Sequence, residues 1–199
     1  MKKFFAFVLV LFSSVHFLFA QTPAYEQIKK ATDDLNKKNY KSAQQNLLNA
    51  ISSINKIMAK EILDSLPKKV NDMIADISMD QNTSMSSTNS GFSVNRMFTD
   101  GNGKSLNISV MENSPMTQSV KMMMKDSTLL PPGSEQKLFM MNNFKSLKHY
   151  DETNSICNYE IAFESSIVII NFDGFPDEKT CDEYVVKINL EKIRNALGE

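Results

Sequence analysis

Between residues 25 and 62 apolar side chains recur every three or four positions, whereas from residue 92 they alternate with polar ones. The first period belongs to helices and the second to strands. The helical part holds two series. Tyr25, Ile28, Ala31 and Leu35 form one, and Tyr40, Ala43, Leu47, Ala50, Ile51, Ile54, Met58 and Ile62 form the other. The polar break Asn36-Lys37-Lys38-Asn39 separates them. Thr22 suits an N-cap, Pro23 a first helical position, and Pro67 the end of the second helix. Each stripe needs a partner, and the nearest is the other stripe, so the pattern predicts an antiparallel helical hairpin.

Residues 68–91 are less regular. Val70, Met73, Ile74 and Ile77 fit a short helix, but the span also permits an extended segment. The stretch DQNTSMSSTNSG, 80–91, is small and polar and reads as a loop. Then Phe92, Val94 and Phe98 share a face, DGNG at 100–103 supplies turn chemistry, and Leu106, Ile108 and Val110 share a face on the return. This predicts a β-hairpin. Arg96 falls on the side of Val94 and Phe98 and is expected to snorkel to the sheet edge rather than to bind an anion inside.

Ser114 as N-cap and Pro115 at the first helical position start a helix running to about Lys125. Met116, Val120, Met123 and Met124 form one stripe on it, with Met122 leaning off. Strands follow at 137–141, 144–150, 155–163 and 166–172, with a loop at 129–136, and the short connections make them a meander. In the third of these Cys157, Tyr159, Ile161 and Phe163 share a face opposite Asn158 and Glu160. Pro176 and Asp177 open a closing helix with the stripe Cys181, Tyr184, Val185 and Ile188. Asn189 caps a last helical segment carrying Leu190, Ile193 and Leu197 before Gly198. The expected class is α+β: a helical hairpin over 21–66, then a domain over 67–199 with an antiparallel sheet of about six strands and covering helices.

The first twenty residues read as an address. Lys2 and Lys3 precede an apolar run, and Leu18-Phe19-Ala20 suits cleavage before Gln21, so 1–20 is expected to be a signal peptide and the protein periplasmic or secreted. No cysteine follows the cut, so no lipid anchor is expected, and no transmembrane segment remains after cleavage. Loss of Lys2 and Lys3 takes the 22 basic side chains to 20 against 23 acidic ones, and six of the 13 phenylalanines leave as well. The remaining 179 residues are weakly acidic and lack the basic field that nucleic acid requires.

The stretch KNYKSAQQNLLNAI resembles the second half of a tetratricopeptide unit, with Tyr40, Ala43, Leu47 and Ala50 at its large and small positions. Only one such unit is present, and a single unit builds no concave peptide groove. From Leu66 onward, about two-thirds of the chain resembles an uncharacterised family of exported bacterial proteins. Leu66-Pro67, VNRMFT, LNISVMENSPM, FDGFPDE and INLEKI carry that likeness. Its element order is similar to that of PsbP-like α/β sandwiches, and it implies no activity and no catalytic residues. The Asn/Ser-rich segment at 80–91 departs from relatives, which are richer in glycine there.

Candidate chemistry is sparse. Thioethers suit Cu(I), but a selective site gathers further soft donors or histidines, and after the leader only His149 remains. Core filling between helix and sheet is the simpler reading of the methionines. Flexible methionine surfaces also accept varied apolar partners, which makes Met116, Val120, Met123 and Met124 a candidate apolar ligand surface. Cys157 and Cys181 both face apolar surface. A disulfide and two separate buried thiols fit equally well. No G-x-S-x-G elbow, phosphate-gripping loop or metal spacing accompanies His149, and Asp177, Glu178, Asp182 and Glu183 read as a helix start and a solvated face. No cofactor and no catalysis are expected. The expected function is an accessory or binding protein of the cell envelope holding an apolar ligand between sheet and Met-rich helix. The alternative is protein–protein interaction through the hairpin.

Overall fold

The computed structural model describes residues 23–84, 91–130 and 135–199. The expected signal peptide, the Thr22 cap, and the central parts of the segments 80–91 and 129–136 lie outside the described residues. The chain divides into two units, one ending at Ala50 and one beginning at Ile51.

The first unit holds α1 (Pro23–Asn36) and the start of α2 (Tyr40–Ser65), which continues into the second unit. The hairpin exists, but its stripes are used differently from the expectation. Ala24, Ala31, Ala43 and Ala50 are buried, while Tyr25, Ile28, Leu35, Tyr40 and Leu47 stay exposed. Small side chains let two backbones approach closely. Asp34 adds a polar clasp, accepting from Ser42 Oγ at 2.6 Å and Asn46 Nδ2 at 2.9 Å.

The second unit is built on an all-antiparallel sheet of nine strands among the described residues, against the expected six. The additional strands are short: β1 (Lys69–Val70), β2 (Met73–Ala75) and β3 (Gln81–Ser84). They come from the irregular stretch after α2: Val70, Met73 and Ile74 are extended in β1 and β2, Ile77 opens a short 3-10 turn, and β3 replaces the start of the loop expected over 80–91. β4 (Phe92–Thr99) and β5 (Ser105–Glu112) form the expected hairpin, with Thr99 opposite Ser105. In its turn Asp100 accepts from the amides of Asn102 and Lys104. β6 (Lys137–Met141), β7 (Phe144–Asp151), β8 (Ile156–Ala162) and β9 (Ser166–Asp173) are the expected meander. β9 lies between β8 and β5, and β3 pairs with β4 beside the path β1-β2-β4-β5-β9-β8-β7-β6.

Alternation gives the sheet two unlike faces. One carries Phe92, Val94, Phe98, Leu106, Ile108, Val110, Tyr159, Ile161, Val168, Ile170 and Phe172 into the main core. Ala59, Ile62 and Leu66 around the end of α2 close that core, together with residues of α4 (Glu178–Val185) and α5 (Leu190–Leu197). Caps place these last helices as expected. Asp177 accepts from the Thr180 amide at 2.7 Å, Asn189 accepts from the Lys192 amide at 2.9 Å, and Gly198 takes the left-handed conformation at φ 78°. The other face is covered at one end by α3 (Met116–Lys125), whose contacts are with β7, β8 and β9.

Arg96 corrects the snorkelling expectation. It is buried and makes a two-pronged pair with Asp80, while its Nη1 donates to the Leu66 carbonyl at 3.1 Å. The planar fork of guanidinium N–H groups matches a carboxylate and a backbone carbonyl at once, which compensates its removal from water.

Candidate functional site

Four places carry the residues singled out by sequence or by burial. On α3, Val120 and Met124 are buried with Leu147 and Ile167, and Met111, Met123, Leu130, Ala162 and Ile169 pack around them. Met116 and Met122 are about half exposed, at 46% and 54%. Two of the four candidate ligand-surface residues therefore already fill the space between helix and sheet, Met123 is partly buried beside them, and Met116 faces outward. Beyond α3, a shallow cleft of about 310 Å³ is lined by Lys121, Phe144, Phe163, Arg194 and Glu199, and by no methionine. Among the described residues no group of three His, Cys, Asp or Glu side chains is placed to hold a metal.

On the same face, the part beyond α3 is a row of amides. Register places Asn107, Asn171, Asn158 and His149 opposite one another on four successive strands. Asn158 Nδ2 donates to Asn171 at 2.6 Å, and Asn95 Nδ2 donates to Asn107 at 2.8 Å and to Ser109 at 2.9 Å. These groups satisfy each other as cross-strand pairs do. His149 ends the row, and its Nδ1 has no partner among the described residues. Glu160 lies one rung away, where burial pushes its carboxyl above the ordinary range.

The densest polar cluster lies on the main-core face, under α4. Lys148 and Tyr159 are opposite each other on β7 and β8, and both are buried. Lys148 Nζ contacts the Asp182 carboxylate at 2.5 and 2.7 Å and Glu178 at 2.8 Å, and Tyr159 Oη donates to Asp182 at 2.5 Å. The ammonium also lies 4.8 Å from the centroid of the Phe139 ring and 5.7 Å from that of Tyr159. Burial works to lower the Lys148 pKa, but hydrogen bonds and charge from Asp182 and Glu178 outweigh it and hold the group above its ordinary value. Glu178 is held below the usual carboxylate range by Lys137 and then by Lys148.

Glu178 and Asp182 thus correct the solvated-face reading, because part of that face looks inward at an ammonium. Two sequence signals mark the cluster. Period two puts Lys148 on the inward side of β7 with Ser146, and the i, i+4 pair Glu178 and Asp182 flanks the buried Cys181.

Cys157 on β8 and Cys181 on α4 sit beside this cluster, fully buried in the main core and free. Each thiol shifts the protonation of the other. Cys181 and the Lys148 charge bring the Cys157 thiol below its ordinary range against the effect of burial, whereas Cys181 is pushed up by Cys157 and by burial.

Together these features define an α+β protein with an antiparallel sheet, one helix-packed face and a largely polar opposite face. Comparison with known proteins finds no matching family model, no matching curated protein and no matching solved structure. No helix among the described residues is long and apolar enough to cross a membrane.

Proposed function

We infer that the chain is an exported, non-catalytic binding protein of the cell envelope that engages a protein partner through the apolar side of the hairpin α1–α2. One observation carries this reading. Tyr25, Ile28, Leu35, Tyr40 and Leu47 are 44–66% exposed, while the side chains buried over residues 23–50 of that hairpin are alanines. Grouped exposed apolar side chains mark interaction surfaces, and large aromatic and aliphatic groups are the usual anchors. The complementary partner presents an apolar helical face, packing ridge into groove against α1 and α2. The reading assigns no catalytic residue and no cofactor.

A photo-crosslinking residue at Leu47, with another at Lys179 as control, tests this in the intact envelope. The captured partner is then purified and titrated with the full chain. The expected result is a partner captured at Leu47 alone, with affinity falling at least tenfold in Leu47→Asp. Equal capture at both positions, or unchanged affinity, overturns the reading.

A second reading places an apolar small molecule between the sheet and α3. Half-exposed Met116 beside partly buried Met123 favours it, but a ligand there has to displace Val120 and Met124 from their packing. Solvent extraction of the purified chain followed by mass spectrometry tests it. A stoichiometric apolar molecule that disappears in Met123→Glu supports this reading, and a clean extract removes it.

A further inference from the structure

The two cysteines stand 24 positions apart on elements of different kind, yet the polar cluster fixes them as neighbours. Tyr159 faces Lys148, and the adjacent inward rung pairs Cys157 with Tyr150. Asp182 bridges Lys148 and Tyr159, which sets the position of α4 over that rung. Cys181, one residue before the partly buried Asp182, is buried in the same core as Cys157, and each thiol shifts the protonation of the other. Both side chains are 0% exposed. α4 itself is only eight residues long. A helix of two turns has little stability of its own and depends on what holds it down.

We propose that Cys157 and Cys181 are a dithiol that oxidises to a disulfide stapling α4 to β8 beside the buried lysine. The bond forms as α4 docks, before the core closes over the sulfurs. Cys157 is the attacking group. The Lys148 charge beside it favours its thiolate. That thiolate attacks one sulfur of an oxidant disulfide and expels the other as thiolate. Cys181, losing its proton, then attacks Cys157 in the mixed disulfide and releases the second oxidant thiolate. Two protons leave the cysteines, and the oxidant disulfide takes up two electrons. The staple secures the helix that carries Glu178 and Asp182, so the carboxylates neutralising Lys148 stay in place. The proposal draws on the export reading only for the source of the oxidant, because disulfides persist in oxidising compartments.

The test uses the purified full chain, reduced in denaturant and refolded in mixtures of oxidised and reduced glutathione, then quenched with acid and alkylated after denaturation. The expected result is a loss of two hydrogens in mass, a peptide pair joining Cys157 to Cys181, and a melting temperature raised by roughly 5–10 °C. Reduction reverses the rise, and the double variant Cys157→Ala/Cys181→Ala shows none. If the folded wild type keeps both thiols alkylatable across the whole series, or only mixed disulfides with glutathione form, the proposal is wrong. Should the double variant fail to fold, the wild type read with and without reductant decides alone. Alkylation of intact cells separates the two readings. Reduced thiols in cells together with a disulfide in buffer uphold the pair and overturn export.

Discussion

The hairpin and the sheet unit use large apolar side chains in opposite ways. In the hairpin alanines are inside, and tyrosine, isoleucine and leucine are outside. In the sheet unit Phe92, Phe98, Phe172, Phe175 and Tyr159 are fully buried, and even Arg96 and Lys148 are drawn in beside carboxylates. Apolar area removed from water stabilises at roughly 25 cal/mol per Å², so the sheet unit has used that source and the hairpin has left much of it unused. The difference separates a region built for its own stability from one with surface left to offer.

The strongest way to break this contrast is to open the buried polar cluster. Lys148→Ala leaves Asp182 facing Tyr159 without its cation and Glu178 with Lys137 alone, and a loss of about 3–5 kcal/mol in urea unfolding is expected. The loss has a pH window. Glu178, depressed in the folded state, contributes stability above its ordinary pKa of about 4.3, lost as pH falls through the folded value. Lys148, raised, contributes below about 10.4, lost as pH rises through its folded value. The difference between wild type and Lys148→Ala is therefore expected to be flat between these limits and to shrink beyond them.

Met124→Ala is next, with an expected cost of about 2–4 kcal/mol as a cavity opens over Leu147 and Ile167. Met122→Ala, on the outer side of the same helix, is expected to stay within about 0.5 kcal/mol. Equal effects would mean that α3 does not pack as described. Glu160→Gln acts in the opposite direction. Because burial raises this carboxyl, its charge opposes folding at neutral pH, and the substitution is expected to raise the melting temperature by about 1–2 °C at pH 7. The gain is lost as pH falls below the ordinary carboxyl pKa of about 4.3, where the group is protonated folded and unfolded alike. Smallest of all, Leu47→Asp is expected to change stability by less than about 0.5 kcal/mol, whatever it does to partner binding. A large destabilisation there would show that the hairpin is not offering a free surface.

Much of the fold was legible. The β4–β5 hairpin, the four-strand meander, the inward Val120 and Met124 of α3 and the caps at Asp177 and Asn189 follow from period and capping chemistry, which are local properties. The strands at 69–84 were not legible, because two to four residues are too few to express a period. They exist because β4 offers an edge to pair with. The candidate sites divide similarly. Val120 and Met124 were readable as inward-facing, but whether space remained beneath them depended on Leu147 and Ile167, more than twenty positions away.

By itself the sequence determined which side chains share a face, since a side chain's direction within a helix or strand is set by backbone geometry a few residues long. Only the tertiary structure decided what each face meets. Alanines rather than the larger residues were buried in the hairpin, Asp80 was brought to Arg96, and two carboxylates were set on Lys148. Such pairings depend on distances between segments remote in the chain, and no local spacing encodes them.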